Sequence, residues 1–235
     1  LGKVNPNDAM VEAQTRRIAF DLDGLSFIEI KGIHIKAAMV NIHSSENCIV
    51  EDCSVRYPVP FFHFSEEFGR SSNPENWSGK GVILSGKNNI IRNTYIAHSW
   101  GDGISMWGEN NRIENCIIED CNWMAIDCAP VAVTGKNHII TNNTLRQAAR
   151  CGLVHRHLET GKITFNDISL GGILCTDLGL TYTYATNGKN TEIAYNWIHD
   201  NWSKGPTSGI YLDNNDTAFV VHHNVVWNCK EGIRV

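Results

Sequence analysis

The sequence predicts an all-β protein, a single-stranded right-handed parallel β-helix of about eight coils. Three observations favour this fold. A nine-residue pattern of apolar residues around a central polar residue recurs along the chain, asparagine nearly always occupies the centre, and a second short pattern follows most copies. Repeats of this length are typical of solenoids, in which each coil buries its apolar face by stacking on its neighbours.

The nine-residue pattern occurs seven times without gaps. The copies are NCIVEDCSV (47–55), NNIIRNTYI (88–96), NNRIENCII (110–118), NHIITNNTL (137–145), GKITFNDIS (161–169), TEIAYNWIH (191–199) and FVVHHNVVW (219–227). Their central residues are Asp52, Asn93, Asn115, Asn142, Asn166, Asn196 and Asn224. The flanking Ile, Val and Thr residues indicate strands rather than a leucine-rich repeat.

A tight turn explains the recurring asparagine. Its amide can hydrogen-bond the equivalent side chains of the coils above and below, about 4.8 Å away, and it tolerates a left-handed backbone. We therefore expect one asparagine ladder. Replacement of Asn115 or Asn142 by alanine should leave buried turn groups unpaired.

The second pattern reads small, apolar, variable, apolar, and it predicts a second strand in most coils. Its copies begin at Gly81, Gly103, Ala125, Gly152, Gly172, Gly209 and Gly232. Because side chains alternate along a strand, Ser105 and Trp107 should face outwards. The same alternation directs His155 inwards, where we expect a hydrogen-bonded core histidine.

Segments 57–80 and 177–190 are predicted to be insertions that flank these strands. Loops on a rigid scaffold often carry function, so we predict a groove between them. Its aromatic, acidic and basic side chains suit sugars, whose hydroxyls need hydrogen-bond partners and whose C–H faces stack on rings. The predicted catalytic residues are Asp127, Arg156, His157, Asp177 and Asp213, and the predicted substrate-binding residues are Trp107, Tyr182, Tyr184, Tyr211 and Arg234.

Two reaction types fit these residues. A lyase must neutralise a uronate carboxylate with a cation or Ca²⁺ and remove the neighbouring proton with a base. Arg156 and His157, between Asp127 and Asp177 in successive coils, meet that need. A hydrolase needs two carboxyl groups, and stacking would place Asp177 and Asp213 about 5 Å apart and Asp127 and Asp177 about 10 Å apart. A structural salt-bridge ladder would give the same pattern, and no metal ligands can be assigned.

On these repeats the chain resembles the pectate-lyase-like superfamily of right-handed parallel β-helices over nearly its full length. The resemblance implies an extracellular or cell-surface polysaccharide-processing protein, of bacterial origin, that acts as a lyase or a glycoside hydrolase. The sequence lacks the Asp-Asp, G-H-G and R-I-K motifs of polygalacturonases and the D-P-H of alginate epimerases. We therefore transfer no catalytic residues. The alternative is a non-catalytic carbohydrate-binding protein, adhesin or fibre subunit.

The composition and charge of the chain argue against some classes of binding partner. A net charge of −5 without a basic cluster argues against nucleic acid, and no apolar run is long enough to span a membrane. The eight cysteines form no C-x-x-C pair, so we expect most of them in the core. We expect one β-helix domain, 1–235, that is a fragment of a longer chain. Its open strand edges predict end-to-end self-association or further domains.

Overall fold

Short parallel strands make up almost all regular structure in the computed structural model, which describes residues 5–12, 14–59 and 79–235. The strands form three long sheets, and the chain passes through sheets 1, 2 and 3 in turn before it returns to sheet 1. Neighbours within a sheet therefore belong to successive coils. Within the described residues eight coils are completed in this way, as the repeats predict. A single 3₁₀ turn, Pro6–Asp8, precedes them.

We number the coils 1 to 8 from the N-terminal end, so that coil n contains the nth strand of each sheet. Within the described residues, the strands of sheet 1 are Ile18–Asp21, Met39–Glu46, Val82–Lys87, Ile104–Met106, Val131–Val133, Leu153–Val154, Leu178–Tyr184, Thr207–Asp213 and Glu231–Arg234. Those of sheet 2 are Glu29–Lys31, Ile49–Glu51, Ile90–Arg92, Arg112–Glu114, Ile139–Thr141, Lys162–Thr164, Asn187–Ala194 and Thr217–His222. Those of sheet 3 are His34–Lys36, Ser54–Arg56, Tyr95–Ser99, Ile117–Cys121, Thr144–Ala148, Asp167–Ser169, Trp197–His199 and Val225–Trp227. Gly135–Lys136 and Leu158–Glu159 form a small additional pair.

The core is a set of apolar columns inside the coils. Ile113 in sheet 2 lies between Ile91 and Ile140, and all three are fully buried. Each such side chain contributes about 1.5–3 kcal/mol by leaving water. All eight cysteines are free and six are buried, so they act mainly as small apolar residues, as expected.

The asparagine ladder lies at the turn between sheets 2 and 3, but it consists of two columns. Strand pairing aligns Ile139 with Lys162, so Phe165 rather than Asn166 is equivalent to Asn142. The outer column is Asp52, Asn93, Asn115, Asn142, Phe165, Tyr195 and His223, all with positive φ. The inner column is Cys53, Thr94, Cys116, Asn143, Asn166, Asn196 and Asn224. The predicted single column is therefore wrong by one residue from Asn166 onwards.

The two columns differ in burial. In the outer column Asn115 donates to Asn93 at 2.7 Å, but Asn115 and Asn142 are exposed, so the expectation that they hold buried groups is wrong. In the inner column the Asn166 amide nitrogen donates to the Ile140 carbonyl at 2.9 Å and to Asn196 Oδ1 at 3.0 Å, and all of these groups are buried. The inner column is therefore the ladder that supports the core.

Two predicted strands of sheet 1 are also displaced. The pattern at Ala125 and Gly172 falls on turns, where both residues have positive φ, a conformation that a strand does not accommodate. The sheet instead uses Val131–Val133 and Leu178–Tyr184. Segment 177–190 is therefore not an insertion, because most of it forms strands of sheets 1 and 2. Of the other predicted insertion, residues 60–78 lie outside the described residues.

Candidate functional site

Most of the predicted site residues lie on the outer surface of sheet 1 at its C-terminal end. We call this surface the Arg–Tyr face, and it consists of Asp127, Arg150, Arg156, Tyr182, Tyr184, Tyr211, Asp213 and Arg234. Strand pairing places Tyr182, Tyr211 and Arg234 in one column. Tyr182 and Tyr211 are buried, so, contrary to the prediction, their rings are not open to a substrate. Tyr184 and Asp213 are paired in a second column. Residues from distant parts of the sequence thus become neighbours.

Two guanidinium groups hold Asp127 on this face. Arg156 Nη2 lies 3.2 Å from Asp127 Oδ2, and Arg150 contacts Oδ1 of the same carboxylate. The Arg156 guanidinium also lies 5.4 Å from the ring centre of Tyr182 and 5.8 Å from that of Tyr184. Such cation–π contacts orient a guanidinium. Arg156 Nε is buried and has no hydrogen-bond partner among the described residues.

Asp213 interacts with phenols instead of cations. The Tyr182 hydroxyl donates to Asp213 Oδ2 at 2.9 Å, and burial together with this hydrogen bond raises the pKa of Tyr182 to about 12. Burial and a hydrogen bond to Asp213 also raise the pKa of Tyr211. Both phenols are therefore protonated at neutral pH. Arg234 lies 4.7 Å above the Tyr211 ring.

Three predicted site residues lie apart. Trp107 faces outwards two coils before Arg156, with Lys80 Nζ 4.9 Å from its ring centre. His157 lies on the turn into sheet 2, where its N–H donates to Thr186 Oγ1 at 3.0 Å.

Asp177 is also separated from its expected neighbour. It precedes Leu178 at one end of a strand, whereas Asp213 pairs with Tyr184 at the other end. The expected 5 Å separation of Asp177 and Asp213 is therefore wrong. The cause is the displaced strand, because the sequence pattern placed residue 172 rather than residue 178 in sheet 1.

Sequence reasoning missed Arg150. It lies on the turn before the Leu153–Val154 strand, where the repeat has no fixed residue, and its guanidinium is 5.2 Å from the Tyr182 ring centre. It also donates to the backbone carbonyl of Asp177 at 3.4 Å. In the sequence, only its position two residues before Gly152 indicates that it lies close to sheet 1.

His155 faces the interior, as expected, but it is not hydrogen-bonded. Its ring packs edge-on against Phe219 at 5.7 Å, and neither ring nitrogen has a hydrogen-bond partner within the described part of the chain. Burial lowers the pKa of His155 to about 3, so the imidazole is neutral.

Two further features bear on the kind of site. In the described residues, no three His, Cys, Asp or Glu side chains lie close enough together to hold a metal ion. The same part of the chain contains no helix long and apolar enough to cross a membrane.

The coil geometry defines a class of protein, the parallel β-helix with a face of aromatic and charged residues. The family described as right handed beta helix region matches residues 21–235. The chain belongs to this family, and the predicted right-handed parallel β-helix is confirmed. No curated protein matches the sequence.

Two similar solved structures come from Azotobacter vinelandii. The mannuronan C-5 epimerase AlgE6 A-module is 14% identical, with a TM-score of 0.56, and the match covers 92% of this chain and 52% of that one. The AlgE4 A-module is 11% identical, with a TM-score of 0.53, and the match covers 89% of this chain and 62% of that one. The chain thus spans between half and two thirds of these modules, and the likeness concerns the fold.

Proposed function

We propose that the protein processes an acidic polysaccharide on the Arg–Tyr face, with chemistry that begins at the carbon next to a uronate carboxylate. The observation that carries this proposal is the grouping of Arg150, Arg156 and Arg234 around Tyr182 and Tyr211. Guanidinium groups bind carboxylates in a planar, two-pronged geometry. Tyr182 and Tyr211 are buried beside the arginines, whereas the exposed ring of Tyr184 offers a stacking surface for a sugar. The similar structures are named as epimerases of mannuronan, which is consistent with this substrate class.

Among the carboxylates of the face, Asp213 is the best candidate base. Both oxygens of Asp127 contact arginines, whereas Asp213 has only phenol donors among its described contacts. An arginine that binds the uronate carboxylate would stabilise the negative charge that develops when the neighbouring proton leaves. In a lyase the electron pair then forms a double bond while the glycosidic C–O bond breaks, and the leaving oxygen takes a proton from Tyr184 or water.

A hydrolase fits the face less well. Its mechanism needs two carboxyl groups that flank the glycosidic bond. The predicted partner of Asp213, Asp177, lies at the opposite end of the strand, and Asp127 is held by two arginines. We therefore favour lyase-type proton removal over hydrolysis. Export to the cell surface or the medium is part of this proposal, because polysaccharides of this kind are found there.

The test is turnover of polygalacturonate and alginate, followed by the ultraviolet absorbance of unsaturated products and by NMR for epimerised sugars. Arg156→Ala should abolish turnover, and Arg156→Lys should restore it only partly, because lysine cannot make the two-pronged contact. Arg146→Ala is the matched control, since Arg146 also pairs with a carboxylate, that of Glu119, but lies on sheet 3.

A non-catalytic binding face is the second candidate. It is favoured by the hydrogen bonds and ion pairs that the face makes within itself, notably those of Asp127. Binding of acidic polysaccharide that depends on Arg156, without turnover of any substrate tested, would select this alternative.

A further inference from the structure

A second surface of coils 6 to 8 carries exposed aromatic rings on another side of the molecule. It lies at the turn between sheets 2 and 3 and continues onto the outer side of sheet 3. We call it the aromatic surface, and it consists of Phe165, Tyr195, Trp197, His223 and Trp227. None of these residues belongs to the Arg–Tyr face.

The rings are stacked along the coil axis. Phe165 and Tyr195 are parallel, with centroids 5.1 Å apart and planes inclined by 5°, and Tyr195 and His223 stack at 4.9 Å. Beside them Trp197 is 58% exposed and lies 6.4 Å from Trp227. An open depression of about 350 Å³ is lined by Phe165, Asn166, Asp167, Tyr195 and Trp197. Because stacked rings cover each other's faces, a linear ligand along the axis would meet the edges of Phe165, Tyr195 and His223, about 4.8 Å apart in successive coils. The exposed Trp197 lies beside them.

The fold does not require these rings. Phe165 and Tyr195 occupy the outer turn position at φ of 57° and 58°, where earlier coils have Asn or Asp. Asparagine and aspartate tolerate this left-handed conformation better than large aromatic residues do. The inner residues Asn166 and Asn196 already hydrogen-bond the turn. Exposed aromatic residues at an unfavourable backbone position indicate a binding role.

Hydrogen-bonding groups stand among the rings in fixed positions. His199 stacks on Trp227 at 3.9 Å, and its two nitrogens contact Asp167 at 3.2 Å and Asp200 at 2.7 Å. Asn228 donates to the other oxygen of Asp200 at 2.7 Å. Rings interspersed with oriented carboxylate and amide groups match the alternating C–H faces and hydroxyls of a sugar.

The charge of the aromatic surface favours a neutral sugar over an acidic one. The outward positions of this surface hold the carboxylate of Asp167 and the imidazoles of His199 and His223, but neither lysine nor arginine. Next to it, Asp200 adds a second carboxylate. A polyanion would meet like charge here, whereas the Arg–Tyr face offers it three guanidinium groups. We propose that the aromatic surface binds a neutral polysaccharide, independently of the Arg–Tyr face.

Affinity electrophoresis of the whole chain in gels containing hydroxyethylcellulose or galactomannan tests the proposal. The protein should be retarded, and Trp197→Ala or Trp227→Ala should weaken the apparent affinity about tenfold, as truncation of a central aromatic contact typically does. Trp202→Ala is the matched control, because Trp202 is 57% exposed but lies outside the surface, and it should leave retardation unchanged. Arg156→Ala should also leave it unchanged, which separates this site from the Arg–Tyr face.

Phe165→Asn provides a variant that should fold well, because it installs the residue that earlier coils use at this turn. It should keep the melting temperature and lose affinity for the neutral polysaccharides. The proposal is overturned if neither neutral polysaccharide retards the protein, or if Trp197→Ala and Trp202→Ala behave alike. It is equally overturned if sedimentation shows a dimer that Trp197→Ala dissociates, since a second copy would then cover the surface.

Discussion

The turn between sheets 2 and 3 is built differently in the two halves of the molecule. In coils 2 to 4 the amide or carboxylate side chain is at the outer position, and the inner residues are Cys53, Thr94 and Cys116. In coils 6 to 8 the asparagine is at the inner position, and the outer residues are aromatic or histidine. Coil 5 has asparagine at both, as Asn142 and Asn143. Asparagine therefore has a different role at each of the two adjacent positions of this turn.

The difference teaches how a solenoid acquires a new surface. An outer asparagine bonds its counterparts in water, where a hydrogen bond adds little net free energy. An inner asparagine bonds buried backbone carbonyls as well as the next amide, and those groups have no water to replace it. Once the inner residue supplies these bonds, the outer position is free to carry a ring.

Asn166→Ala should give the largest effect. It removes the donor to the Ile140 carbonyl and the acceptor of the Asn143 N–H, and both partners stay buried. With about 1–3 kcal/mol for each unpaired group, we expect a loss of about 2–6 kcal/mol in the free energy of unfolding. Urea unfolding measures it. A loss below about 0.5 kcal/mol would show that water reaches the inner column.

His155 shows what an interior polar group does without such partners. Its folded pKa is about 3, below the ordinary value of about 6.5, so below pH 6.5 the unfolded chain takes up a proton that the folded chain does not. Stability should therefore be lost as pH falls from about 6.5 towards 3, by about 1.4 kcal/mol per pH unit.

His155→Leu should remove this contribution. The difference in unfolding free energy between the variant and the wild type should grow steadily as the pH falls from 6 to 4, by about 1.4 kcal/mol per pH unit. His34→Leu, at an exposed histidine of coil 1, serves as the control. Parallel pH profiles for wild type and His155→Leu would mean that a partner such as water satisfies the buried ring.

Asn115→Ala should have a small effect. Its amide donates to Asn93 on an exposed surface, so water replaces the bond and we expect a loss of about 0.5–1 kcal/mol. Part of that loss arises because alanine is less favourable than asparagine in the left-handed backbone conformation at this position. If urea unfolding shows this variant to be as destabilised as Asn166→Ala, the distinction between the two columns fails.

Phe165→Asn should have the smallest effect on stability. The loss of stacking on Tyr195 is offset by a residue better suited to φ of 57°, so we expect a change within about 0.5 kcal/mol. Thermal unfolding followed by circular dichroism measures it. A large destabilisation would mean that the aromatic stack serves the fold.

The sequence predicts the coils well because their strands repeat a simple chemical pattern. Ile91, Ile113 and Ile140, each at the centre of a three-residue strand, identify sheet 2 and its core column without ambiguity. The register of the repeat becomes ambiguous at coil 5, where Asn142 and Asn143 are adjacent and either could continue the asparagine ladder. Pattern alone does not distinguish the two, because only strand pairing shows which one faces inwards.

The candidate site is less predictable for a related reason. The turns between sheets 3 and 1 vary in length, so a small residue followed by apolar ones marks a turn at Gly172 and a strand at Gly209. Because of this variation, the sequence pattern predicts Asp177 at the wrong end of its strand. The pattern also does not predict Arg150, which lies on a turn that no repeat describes. Tyr182, Tyr211 and Arg234 are placed together by pairing that sequence separation does not reveal.

The pairing of coils 3 and 4 has a consequence for how such a chain can change length. In all three sheets the partners are 22 residues apart: Val82 with Ile104, Ile90 with Arg112, and Tyr95 with Ile117. Deletion of residues 82–103 would place Ile104 where Val82 stands, and every later strand would follow in phase. A single in-frame duplication or loss of that segment would therefore lengthen or shorten the protein by one whole coil without disturbing the hydrogen bonding on either side.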